Sequence, residues 1–245
     1  MIERLVVNGC SYTELYARGR GHNDLAQRLE IPNAESLAQS GCNNSRILRT
    51  TIKDSYATTV PTLYVLGMTF VSRYEIPILT YPAGDSAETS FEGRWTNPQN
   101  QMYSNRWESY WTVKDTDNYV KMKDKANLFG FLDLVEDLMY RMSSTANDLR
   151  SRGHRVLMYQ QADVGYQGLL HTPRLALFKT MPWVVNGFNW NAIQWQHDHN
   201  VPVNPGEYDG PYGVTPENMR HRKPGEHHLL NKFLTNYIDC CKILE

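Results

Sequence analysis

Serine is a weak nucleophile at neutral pH. To attack a carbonyl it needs a turn that presents it, donors for the developing oxyanion, and a base for its proton. Four stretches of the 245-residue chain hold residue types suited to these tasks. In the first, the apolar run Leu5, Val6, Val7 ends in Asn8-Gly9-Cys10-Ser11. A buried strand followed by a glycine and a serine puts a hydroxyl where ligands bind in open α/β sheets, outside the strand's carboxyl end. A plain turn or helix cap explains the same residues. Cys10 is a second candidate nucleophile there, since a thiolate is intrinsically stronger.

The second stretch is Gln39-Ser40-Gly41-Cys42-Asn43-Asn44-Ser45. Its glycine amide and asparagine side chains are candidate donors to a bound oxygen, with Asn43 and Asn44 as substrate contacts. Asn43, Asn44 or Ser45 also suits a helix N-cap. The third is Val65-Leu66-Gly67-Met68-Thr69-Phe70, again a strand ending in glycine with a hydroxyl just beyond. Shortly after it Arg73 is placed to bind a carboxylate or other anion, or to form a surface ion pair. The fourth begins at His221 and runs His-Arg-Lys-Pro-Gly-Glu-His227-His228 into a last apolar helix, which supplies candidate bases.

In this order the four stretches resemble the SGNH (GDSL-like) hydrolases. The matching blocks are Gly9-Cys10-Ser11, Gly41, Gly67-Met68-Thr69 and Asn218-Met219-Arg220-His221. The last is similar to phage and bacterial variants reading HPxxxGH, because His221 and His227 keep that six-residue spacing. The resemblance implies catalysis by Ser11, His221 and Asn218, with an oxyanion hole from Ser11, Gly41 and Thr69. His227 and His228 are fallback bases. It implies a serine esterase that deacylates a small-molecule or glycan ester, without a cofactor or metal. Cys10 replaces the family's aspartate, Thr69 its asparagine, and Asn218 the aspartate that orients the histidine. An amide does not stabilise an imidazolium as a carboxylate does, although Glu217 stands next to Asn218. These departures fit an alternative, a catalytically weakened SGNH-fold binding or structural module that binds carbohydrate, phage-encoded as the resemblance to phage variants suggests.

The elements that must position these residues follow from periodicity. Strands are expected at 3–8, 34–38, 62–66 and 155–160. Helices are expected at 22–29, after Asn43 with Ile47, Leu48, Ile52 and Tyr56 on one face, at 125–152, near 173–180, and after Pro224 with Leu229, Leu230, Phe233, Leu234 and Tyr237 inward. Strand and helix in alternation predict an α/β, three-layer αβα sandwich around a parallel sheet of about five strands. The resemblance makes that the flavodoxin-like SGNH fold. One domain, 1–245, carries an insertion at about 80–125 that is rich in Gly, Pro, Asn, Trp and Tyr, with too little aliphatic content for a core of its own.

Composition excludes several classes. Hydrophobic residues make up 41% and charged residues 21%, and the net charge is -1 with scattered basic residues. Nucleic acid is therefore not an expected partner. No stretch approaches the roughly 20 apolar residues of a membrane helix. Four cysteines without a paired spacing suit a reducing compartment, and no signal-peptide pattern opens the chain. The expected location is cytoplasmic, in host cytoplasm or virion if phage-encoded. His197-Asp198-His199 would share a face in a strand, and with His227 and His228 would suggest a metal-dependent hydrolase. No third ligand has zinc-like spacing nearby, and a polar loop is the simpler reading. Trp95, Tyr103, Trp107, Tyr110, Trp111, Trp183, Trp190 and Trp195 suit either a sugar-stacking surface or burial of the irregular stretches.

Overall fold

Leu5, Val6 and Val7 bury almost all of their surface, each worth about 1.5–3 kcal/mol against exposure. A strand buried on both faces belongs in the middle of a sheet covered by helices. The computed structural model describes residues 1–40, 42–69, 74–77, 107–110, 131–161, 180–188, 190–202, 222–223 and 226–245. Within them β1 (Arg4–Gly9) is followed by α1 (Ser11–Arg18), α2 (Gly21–Arg28), β2 (Asn33–Ser36), α3 (Asn44–Ala57) and β3 (Thr62–Met68). Then come β4 (Tyr74–Pro77), β5 (Trp107–Tyr110), α4 (Phe131–Ser151), β6 (Arg155–Gln160), α5 (Ala192–Asp198) and α6 (His228–Cys240).

The main sheet is parallel throughout, in the order β2-β1-β3-β6. The chain leaves β1 outward to β2, then crosses back to β3 on the other side. The strand order reverses between β1 and β3, and the crevice at their carboxyl ends is where such sheets bind ligands. The helices cover both faces. Asn8 sends its side chain into α3, while a Cβ on the next residue, Gly9, would meet Thr13 of α1. Successive strand residues point to opposite faces, so α1 and α3 lie on opposite sides of the sheet.

Four of the expected strands are therefore present among the described residues. Beside β6, Val184 and Asn191 form two isolated parallel bridges to Met158 and Gln160. The insertion contributes β5, which pairs antiparallel with β4. That ladder starts at Tyr74, ahead of the expected boundary at 80. The helix expected near 173–180 lies outside the described residues apart from its last one. Tyr56 of α3 is exposed, with the Arg152 guanidinium 3.9 Å above its ring. Leu230 and Leu234 of α6 are buried, whereas Leu229, Phe233 and Tyr237 are only partly so. No helix among the described residues is long and apolar enough to cross a membrane.

Asn8 fastens the end of β1. Its Nδ2 donates to the Ile47 carbonyl at 3.0 Å, Thr50 Oγ1 at 2.9 Å and Thr51 Oγ1 at 3.0 Å, and its Oδ1 accepts from Gly9 N at 2.9 Å. Asn8→Ala removes that shared partner from groups that are buried or half-buried. The expected loss is about 2 kcal/mol, read as a lower urea midpoint at unchanged slope.

Candidate active site

The short, polar segment Ser-Tyr-Thr-Glu-Leu-Tyr-Ala-Arg gives no strong apolar period, yet it forms α1 directly after β1. Its helical signals are Glu14 in the first turn, Arg18 in the last, and their i,i+4 ion pair. Cys10 is the N-cap, and its side chain lies in the hydrophobic core. Ser11, partly buried, is the first helical residue. The serine thus stands at the carboxyl edge of the sheet, beside first-turn amides without intrahelical partners, while the thiol points inward.

Two glycines let α1 approach that closely. Gly9 and Gly67 are paired across β1 and β3. A Cβ at Gly9 would stand 2.0 Å from Thr13 Oγ1 and 2.6 Å from Thr13 Cβ. A Cβ at Gly67 would stand 2.6 Å from Thr13 Oγ1, 2.9 Å from Gln161 Oε1 and 3.0 Å from the Tyr159 hydroxyl. Thr13 Oγ1 donates to Gln161 Oε1 at 3.4 Å. Burial pushes the Tyr159 phenol well up, opposed by a hydrogen bond with Thr13. Tyr159 is therefore neutral across the working pH range.

The two blocks expected to supply oxyanion donors are joined by Asn44. Its Nδ2 donates to the Thr69 carbonyl at 2.9 Å, and its Oδ1 accepts from Thr69 N at 2.7 Å. Both ends of this amide hold backbone, so Asn44, expected as a substrate contact, instead locks α3 to the end of β3. Asn43 is the N-cap of α3, its Oδ1 accepting from Arg46 N at 2.9 Å. That bond fixes the amide and leaves Nδ2 buried without a hydrogen-bond partner among the described residues. Thr69 Oγ1 is buried and unpartnered in the same way. Gly41 and Arg73 lie outside the described residues, as do Asn218 and His221.

The fallback bases separate. His228 is exposed on the first turn of α6. His227 is buried, its ring edge-on to Tyr16 at 5.0 Å, with Nδ1 3.2 Å from Gln196 Nε2. With the Gln196 amide nitrogen as donor, Nδ1 accepts and the ring proton resides on Nε2. Burial lowers the His227 pKa to about 4. A neutral, poorly basic imidazole with its lone pair engaged packs and bonds but does not readily accept a serine proton.

The depressed His227 pKa carries a stability consequence. The unfolded histidine protonates near pH 6.5, the folded one only near 4, so stability is present above pH 6.5 and falls as the pH drops toward 4. Burial lowers His22 and His154 as well, adding to the same slope. Replacing His227 by Phe is expected to remove about 2 kcal/mol of the stability difference between pH 7 and pH 5, read from urea unfolding at the two pH values.

His197 and Asp198 belong to helix α5, and His199 caps it, stacking on Trp195 at 4.2 Å with Nδ1 on the Trp195 carbonyl. The premise that the two histidines share a strand face is therefore corrected. Among the described residues no group of three His, Cys, Asp or Glu side chains stands together to hold a metal ion. Trp183 is buried, and Trp190 stacks on Phe233 at 4.5 Å beside Trp195, so these three tryptophans pack the fold. Trp107 and Tyr110 lie in β5, and Trp95, Tyr103 and Trp111 lie outside the described residues.

No protein-family model matches the chain, and no curated protein matches it.

Proposed function

We propose that this protein is a serine ester hydrolase of the SGNH type, with Val184 and Asn191 marking its fifth strand. The observation that carries the reading is the placement of Ser11. It opens α1 immediately beyond β1, at the reversal of strand order, with polar atoms of Asn43 and Thr69 that lack partners among the described residues buried on the adjoining elements. The resemblance of the four sequence blocks supports the same assignment.

The chemistry is acyl transfer. The Ser11 Oγ forms a bond to the ester carbonyl carbon as its proton passes to His221, the base implied by the resemblance. The amides of Ser11 and Gly41 hold the oxyanion, assisted by Asn43 Nδ2 and the Thr69 hydroxyl. The bond from the acyl carbon to the alcohol oxygen then breaks, and His221 returns the proton to the departing alcohol. Water attacks the acyl-enzyme, gives its proton to His221, and releases the acid as Ser11 recovers its proton. The geometry at His227 favours His221 as the base. Asn218 or Glu217 orients its ring.

An acylated carbohydrate is the proposed substrate class, resting on the aromatic residues between 95 and 111 now that three tryptophans are accounted for by packing. Hydrolysis of p-nitrophenyl acetate and O-acetylated oligosaccharides tests the reading. Turnover by the wild type is expected. Folded protein that cleaves neither ester and binds acetylated and unacetylated glycans alike would instead favour the binding-module reading.

A further inference from the structure

Glu14 follows Ser11 by one helical turn. An acidic side chain in a first turn commonly does no more than complement the helix dipole. This one reaches off the helix. Its Oε2 accepts from the Ser40 amide at 2.5 Å and from the Ser40 hydroxyl, and its Oε1 accepts from Arg18. Ser40 immediately precedes Gly41 in the loop from β2 to α3. Three other ties of that loop run to the backbone of β1. Leu37 N donates to Val7 O at 2.9 Å, Gln39 N to Gly9 O at 3.1 Å, and Cys42 Sγ to Gly9 O at 3.0 Å. Glu14 adds a tie between the loop and the helix that carries the serine.

The chemistry of the tie suits an ionised carboxylate. Both Ser40 groups donate to one oxygen, and an ionised carboxylate only accepts. Burial disfavours that charge, yet the bonds from Ser40 and Arg18 outweigh it and hold the Glu14 carboxyl below its ordinary value. Arg18 is largely exposed, so the two bonds from Ser40 carry most of the geometric constraint.

We propose that Glu14 is a positioning residue of the esterase, fixing Ser40, the residue before Gly41 in sequence, against the helix that carries Ser11. The inference rests on the hydrolase reading, in which the Gly41 amide is an oxyanion donor. Glu14 touches no reacting atom. It acts by holding a donor where charge develops, and such donors work only when already in place.

The test is fluorophosphonate inactivation kinetics, resolving the binding constant KI from the rate constant kinact, on wild type, Ser11→Ala, Glu14→Ala, Glu14→Gln and Ser40→Ala, with thermal unfolding of each. A displacement of roughly 1 Å at a reacting centre costs about 100-fold. Glu14→Ala is therefore expected to lower kinact about 100-fold with KI unchanged. Glu14→Gln keeps an acceptor for the Ser40 amide, and Ser40→Ala keeps that amide as donor. Each is expected to lose only about tenfold, the worth of one hydrogen bond. These two milder variants decide the matter if Glu14→Ala does not fold.

Folded Glu14 and Ser40 variants that react at the wild-type rate overturn the proposal. A loss that tracks the fall in melting temperature and is not recovered by Gln also overturns it. Wild type that fails to react overturns the hydrolase reading, and the role of Glu14 with it. That outcome is told apart from the others because the unsubstituted protein is itself silent.

Discussion

Gly9→Ala is expected to destabilise the protein by about 3 kcal/mol, the upper end of what overpacking a core costs. Propensity alone argues the other way, because glycine weakens a strand interior and alanine should help. Space decides it. The added methyl would lie 2.0 Å from Thr13 Oγ1, which can rotate away, and 2.6 Å from Thr13 Cβ, which cannot. That Cβ is fixed to the α1 backbone, so the helix itself must move off the sheet, taking Ser11 and Glu14 with it. The paired glycine provides the control. At Gly67 the contacts are a hydroxyl, an amide oxygen and a phenol, all at side-chain ends. Gly67→Ala should cost about 1 kcal/mol. Thr13→Ala should relieve the Gly67 substitution and leave the Gly9 one unrelieved. Urea unfolding of the five variants reads the pattern. A Gly9→Ala change within about 0.5 kcal/mol of wild type, the range of a neutral surface substitution, would contradict this packing.

Ser11→Ala is expected to abolish ester turnover, a loss of about 10⁴-fold or more in kcat, since removing the nucleophile of a serine hydrolase leaves only binding and oxyanion stabilisation. The fold should survive, because Ser11 is partly buried at a helix start whose N-cap is Cys10 rather than Ser11. The matching substitution at the neighbouring nucleophile, Cys10→Ala, removes a core side chain and should lower stability while sparing turnover. The opposite pattern, with turnover lost in Cys10→Ala and kept in Ser11→Ala, would move the chemistry to the thiol.

Much of the scaffold could be read from local pattern. The apolar run Thr62 to Leu66 announces a buried strand, and the structure extends it to Met68. Asn43 is a cap by residue type, and it caps α3. The three- and four-residue steps of Leu138, Met139 and Met142 give α4, and all three are buried. Helix α1 was hidden because it is short and because its inward face is carried by Thr13 and Tyr16, a polar and a half-polar residue. His197 and His199 read as a strand or loop because seven residues are too few to show a helical period.

What makes the site is non-local. Gly9 matters because it pairs with Gly67, 58 positions away, under the same threonine. Glu14 matters because β2 returns beside β1 and delivers Ser40 to it. Asn44 holds the Thr69 backbone only because β3 ends next to the start of α3. No window along the chain contains these pairs. They follow once the strand order is known, and that order places Ser11 at the reversal between β1 and β3.

The most direct measurement is fluorophosphonate labelling of folded protein, read by intact mass and then peptide mapping, for wild type and Ser11→Ala. The account predicts one adduct per chain, mapped to Ser11 and absent from the variant. A wild type that stays unlabelled, or an adduct that persists in Ser11→Ala at another residue, would contradict it.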